Sequence, residues 1–178
     1  MSTEKAFLIE HLQATAALFE SSIRDLDYAA WTRAGEGQWS AGQCAEHALA
    51  IEKLVAQFLP AMAQLPEEPF DAEKNARKDE MILGVAERGA TKIQAPPQLH
   101  PGNEPRPVAE VLAEFEQAHG TLLRIAAEFP QWLRGRFREH PILKKLDGYQ
   151  WILVTSCHTR RHLKQMEELQ QQYVGDRG

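Results

Sequence analysis

The stretch Asp147-Gly148-Tyr149-Gln150-Trp151-Ile152-Leu153-Val154-Thr155-Ser156-Cys157-His158-Thr159-Arg160-Arg161-His162 decides the fold. Taken alone, Trp151-Ile152-Leu153-Val154 is apolar enough for a short strand. What surrounds it points to a helix. Asp147 and Gln150 stand at the spacing of a capping box, with Asp as the cap. Beyond them Trp151, Thr155, His158, His162, Gln165 and Leu169 recur in steps of three and four, which return to one face of a helix turning about 100° per residue. A long helix therefore starts here and frays into the polar tail Gly175-Asp176-Arg177-Gly178.

The same period runs through most of the chain. Leu8, Leu12, Thr15, Phe19, Ser22 and Leu26, widened by Phe7, Leu18 and Ile23, place a first helix near residues 4–26. Residues 27–38 carry Gly35 and Gly37, lack a period and read as a loop. Ser40 caps a second helix, with Gln43 completing the box and Trp39 placed as a hydrophobic staple. Its stripe is Cys44, His47, Ile51, Leu54, Phe58 and Met62, and Pro66 follows its end.

A third helix starts near Pro107, a residue tolerated in a first turn. Val108, Val111, Leu112, Phe115, Leu122, Ile125 and Phe129 form its stripe, and Pro130 stops it. Between the second and third helices, residues 66–107 hold seven of the ten prolines. A short helix near 71–83 fits there, although Gly84 and Gly89 weaken any continuation. A connection far longer than about 12–15 residues suits a crossover, here one that lets the third helix run parallel to the second and covers one end of the bundle. Residues 131–145 mix Trp132, Phe137 and a basic cluster around His140-Pro141. No alternating Val/Ile/Thr run bounded by turns marks a strand. The expected fold is all-α: a four-helix bundle with one long proline-rich crossover, residues 1–178 forming a single domain.

Composition narrows the function. The chain has 178 residues, 43% apolar and 25% charged, with 20 Lys+Arg against 25 Asp+Glu and a net charge of −5. That is enough apolar material for a core and argues against disorder. Only Arg134, Arg136, Arg138 and the Arg160-Arg161 pair hint at a basic face, so nucleic acid is not an expected partner. No stretch reaches the roughly 18 apolar residues of a membrane span. The start Met1-Ser2-Thr3-Glu4-Lys5 has no signal-peptide pattern, and Cys44 and Cys157 make no disulfide framework. A cytoplasmic location is expected.

Three histidines fall on inward stripes: His47 on the second helix, His158 and His162 on the fourth. Residues four apart stack about 6 Å apart along a helix, so two imidazoles converge on one ion and a third from a facing helix completes a triangle. Neutral imidazole suits zinc, nickel, copper and iron, with Zn–N bonds of about 2.0–2.1 Å. Three protein ligands leave a position open, as in catalytic sites. The bare His-x-x-x-His pair carries little weight. Its place on the apolar seam carries more, because polar groups there need partners. The plain alternative is a set of core histidines bonded to their neighbours or to each other.

These motifs together bear a resemblance to a known family. Trp39-Ser40-Ala41-x-Gln43-x-x-x-His47, His140-Pro141, Gly148-Tyr149-x-Trp151 and His158-x-x-Arg161-His162-x-x-Gln165 resemble the DinB-like (YfiT-like) four-helix bundles. The match covers both ends of the chain and leaves the proline-rich middle unanchored. The resemblance implies an up-down-down-up bundle, a divalent metal on His47, His158 and His162, and a homodimer. Zinc or nickel comes first among the ions, with manganese and iron as alternatives. It also implies a small-molecule substrate and either a metal-dependent hydrolase or a thiol S-transferase using a low-molecular-weight thiol. The nucleophile would be a metal-bound water or thiolate. His158 is followed by Thr159, so the adjacent glutamate base of His-Glu-x-x-His proteases is missing.

Other residues carry two readings each. Cys44 is either an extra soft ligand and substrate contact or a buried core thiol. Arg161 and Gln165 flank the cavity and either orient an anionic substrate or a ligand imidazole, or serve the surface. His119, at the edge of the third helix's stripe, is either a proton shuttle or support behind the ligands, or a partly exposed histidine, the reading preferred. His11 and His100 are read as surface residues, and His140 as shaping the turn before the last helix. From a different class, a non-catalytic metal- or ligand-binding module remains open.

Overall fold

In the computed structural model, which describes residues 2–87 and 97–175, each predicted cap is in place. Ser40 Oγ accepts the Gln43 amide while Gln43 Oε1 accepts the Ser40 amide, and Asp147 and Gln150 exchange the same pair of bonds. Among the described residues the chain forms α1 (Thr3–Ile23), α2 (Tyr28–Thr32), α3 (Ala41–Phe58), α4 (Ala72–Glu87), α5 (Val108–Glu128), β1 (Phe137–His140), β2 (Lys144–Asp147) and α6 (Gly148–Gly175). Gly89 and residues 176–178 of the tail lie outside the described residues.

The bundle is built from α1, α3, α5 and α6. Both α1 and α3 pack on α5 and on α6, which sets α1 and α3 at opposite corners. Contacts at successive levels give directions. Thr15 meets Ser156 and Arg160, and Ser22 meets Gln170, so α1 and α6 run the same way. His47 faces His158 and His162 whereas Phe58 faces Trp151, so α3 opposes α6. Phe19 stacks on Phe115 while the Leu12 carbonyl meets His119, so α1 opposes α5.

Two apolar clusters fill the interior. One holds Leu8, Leu12, Val55, Leu59, Leu122 and Ile152; the other holds Phe19, Ile23, Cys44, Leu49, Phe115 and Met166. On each helix a buried polar residue separates them: Thr15, Glu52, His119, and Ser156 with Thr159. The layer is hydrogen-bonded within itself, as buried polar groups require.

Four features depart from expectation. A short helix, α2, interrupts the loop of residues 27–38, started by Asp27, whose carboxylate accepts the Ala30 amide at 2.7 Å. Helix α3 ends at Phe58 and passes into a 3-10 turn at Leu59–Gln64, where Pro60 has no N–H to donate. The third is the antiparallel hairpin β1–β2, which pairs Phe137 with Asp147 and His140 with Lys144. Its strands, Phe-Arg-Glu-His and Lys-Lys-Leu-Asp, show no apolar alternation, because main-chain pairing and the 141–143 turn hold them. In the connection, α4 is longer than the 71–83 segment and packs along α6.

Candidate metal centre

The caps set the levels of the candidate ligands. The box at Ser40 starts α3 so that His47 falls in its second turn. The box at Asp147 starts α6 so that His158 and His162 fall in its third and fourth turns. Because α3 and α6 oppose each other, these rings meet across the seam. One nitrogen from each of His47, His158 and His162 lies within 4.8 Å of the others. The ring centroids are 5.0 Å apart for His47–His158, 4.8 Å for His47–His162 and 4.6 Å for His158–His162.

Hydrogen bonds select the nitrogens that point inward. His47 Nδ1–H donates to the Leu99 carbonyl at 2.8 Å, and His162 Nδ1–H donates to Gln165 Oε1 at 3.1 Å. Each bond places the proton on Nδ1 and leaves a lone pair on Nε2. His158 Nε2 stands 3.3 Å from His162 Nε2. Two nitrogens each about 2.0–2.1 Å from a tetrahedral ion lie about 3.3–3.4 Å apart. The spacing therefore fits a shared ion. The same distance suits a bond from His158 Nε2–H to the His162 Nε2 lone pair, and in either arrangement His158 Nδ1 is buried with no partner among the described residues. If His158 Nε2–H donates to His162, Nδ1 is a stranded acceptor; if Nε2 faces an ion, Nδ1–H is a stranded donor. If the proton sits on Nδ1, two lone pairs face each other.

All three imidazoles are held neutral, the form that binds metal. Burial pushes His47 below its ordinary value, against the Leu99 bond and with help from His100. Burial and the neighbouring His162 and His47 push His158 far down. Burial and His47 push His162 down to about 3, against the Gln165 bond. Arg161 adds positive charge beside both His158 and His162.

The remaining candidates divide. Gln165 is at the centre, as the acceptor that orients His162. Arg161 is half-buried beside it. Cys44 is not in the histidine group; it lies in the apolar cluster with Phe19 and Trp31, where burial pushes its thiol up to about 12 and keeps it protonated. His140 shapes its turn, its Nδ1 accepting the Ile142 and Leu143 amides. His119 is 2% exposed and bonded to Glu52 and the Leu12 carbonyl, so its reading as partly exposed is corrected. One neighbour of the centre escapes sequence reasoning. The Leu99 carbonyl has no sequence signature, being backbone. The Trp39 ring, placed as a staple, also lies 4.9 Å from His47 and 6.3 Å from His162, forming one wall.

Fold and centre together define a four-helix-bundle protein with a buried three-histidine group able to hold a metal ion. The chain belongs to the DinB superfamily, whose family model matches residues 6–166. It is 26% identical over 134 residues to the uncharacterized protein YuaE of Bacillus subtilis (strain 168), covering 75% of this chain and 78% of that one. It is also similar to the solved structure of TT2238, a four-helix bundle protein, with a TM-score of 0.58 at 19% identity over 92% of this chain and 98% of that one. The likeness to TT2238 concerns the fold alone.

Proposed function

We propose that this protein is a metal-dependent enzyme acting on a small molecule, with His47, His158 and His162 as the ligands of one divalent ion. Zinc or nickel suits three imidazoles first, with iron as an alternative, and manganese as one that the family resemblance implies. One observation carries the reading. Three neutral imidazoles converge, and among the described residues no fourth His, Cys, Asp or Glu joins them. Three protein ligands with one open position characterise catalytic rather than structural sites.

An ion held there would lower the pKa of a water or thiol at the open position, supplying a nucleophile near neutral pH. The chain's own groups do the rest. Leu99 and Gln165 fix two ligand rings, Arg161 brings positive charge for an anionic group, and Trp39 offers an apolar wall. Water as nucleophile makes the reaction a hydrolysis; a low-molecular-weight thiol makes it an S-transfer. Hydrolysis is the broader reading and is preferred. Residues 1–178 are taken as one domain working in the cytoplasm, as length and composition suggest, and as a homodimer, as the family resemblance suggests. No helix among the described residues is long and apolar enough to cross a membrane.

A non-catalytic metal-binding module is the second reading, favoured by the low exposure of His47 and His162, 4% and 8%. The partly exposed His158 weighs against a sealed site. Zinc- or nickel-loaded protein should release product from a chromogenic ester, or transfer a small thiol to a chromogenic electrophile, at least about tenfold faster than His47→Ala. Equal rates for the two proteins in both assays would contradict catalysis at this centre.

A further inference from the structure

The carbonyl that orients His47 belongs to a strap, residues 97–106, laid along one side of α3 at the edge of its seam with α6. His47, Glu46 and Gln43 share that side at helical spacing, and each fastens the strap. His47 Nδ1–H donates to the Leu99 carbonyl at 2.8 Å. Gln43 Nε2–H donates to the Gly102 carbonyl at 2.8 Å and reaches the Asn103 carbonyl at 3.4 Å. The Glu46 carboxylate accepts the Arg106 amide, and Trp31 Nε1–H of α2 donates to the Arg106 carbonyl at 2.8 Å. Pro105 closes against Gly42, where an added Cβ would stand 2.4 Å from Pro105 Cβ and 2.7 Å from Trp31 Cε2. Only a residue without a side chain permits that approach. Most strap side chains are exposed and none is fully buried. Polar fastenings, one of them a candidate ligand, therefore hold it in place.

We propose that the strap is a positioning element for the metal centre: docked, it holds His47 with its Nε2 lone pair turned inward, and a bound divalent ion in turn locks the strap down. This inference rests on the metal reading above. A neutral imidazole carries its single proton on one nitrogen or the other, and an acceptor at Nδ1 decides which. With the strap lifted, His47 loses that selection and its fixed ring orientation together. Coupling between two such events is reciprocal. The factor by which docking raises ion affinity is the factor by which the ion favours docking. Partners that orient ligand imidazoles are typically worth about 10–100-fold in affinity.

Two substitutions outside the ligand set loosen the strap. Gly42→Ala pushes against Pro105 and Trp31. Gln43→Glu keeps an oxygen to accept the Ser40 amide but turns a carboxylate toward the Gly102 and Asn103 carbonyls. The experiment uses the full chain with Zn²⁺ alone as probe, reading affinity by titration and backbone exposure by hydrogen exchange. In the wild type, zinc should slow exchange across 98–106 about tenfold or more. Each variant should bind zinc about 10–100-fold more weakly, with unchanged exchange in α1 and α5 and smaller zinc protection of the strap. Should Gly42→Ala fail to fold, Gln43→Glu decides alone. Wild-type affinity in the variants, or a wild-type strap indifferent to bound zinc, would overturn the proposal. A wild type that takes up no zinc would instead remove the metal reading, and the strap's role with it.

Discussion

His119 lies between two acceptors deep in the bundle. Its Nε2–H donates to the Leu12 carbonyl at 3.0 Å, and its Nδ1 faces the Glu52 carboxylate at 3.3 Å, which also accepts from Thr159 Oγ1 at 2.9 Å. A carbonyl only accepts, so Nε2 must carry a hydrogen, and the contact with Glu52 needs one more proton. Burial lowers the His119 imidazole, but the hydrogen bond and charge of Glu52 outweigh it and hold it above its ordinary value. A base whose folded-state pKa is raised adds stability below its unfolded value of about 6.5, and loses that stability as pH rises through the raised value. Metal-free wild type should therefore lose stability more steeply above pH 6.5 than His119→Gln, in urea unfolding at a series of pH values. Parallel curves would contradict a proton held there. Nothing in the sequence pairs His119 with Glu52, since Glu52 falls outside the stripe Cys44, His47, Ile51, Leu54, Phe58 and Met62. His47, His158 and His162 were legible because each falls in step with the inward stripe of its helix and within the motifs shared with the DinB-like bundles.

Caps and stripes made the bundle helices readable, because both are local patterns. In the connection the helix near 71–83 was legible too, but its docking was not, because Arg134 organises it through distant partners. Its guanidinium reaches Asp79 of α4 at 2.7 Å, Asp147 at the α6 cap at 3.0 Å and Glu4 of α1 at 2.7 Å, and lies over the Tyr149 ring. Gln150 adds bonds to Asn75 and Asp79. A proline-rich composition does not reveal that a helix inside it is clamped to the last helix. Asp147 is 0% exposed, so removing its partner leaves a buried carboxylate without its countercharge. Arg134→Gln should cost about 3 kcal/mol in chemical denaturation and speed amide exchange in α4 more than in α5. A loss well below about 1 kcal/mol would mean the clamp does not hold α4.

Across the whole molecule, opposed directions of α3 and α6 and a polar layer between two apolar clusters bring distant residues to one level. His47 and the His158/His162 pair are more than a hundred residues apart, yet their spacing within each helix prepares them to meet. Sequence periodicity gives the inward faces; it does not give the 3.3 Å between His158 and His162 Nε2, which only packing sets. That convergence is what a bound ion requires. Elemental analysis of the purified chain tests it most directly. About one divalent ion per chain is expected in the wild type, with most of it lost in His158→Ala and in His162→Ala. A wild type without metal, or both variants with undiminished metal, would contradict a centre built on these three rings.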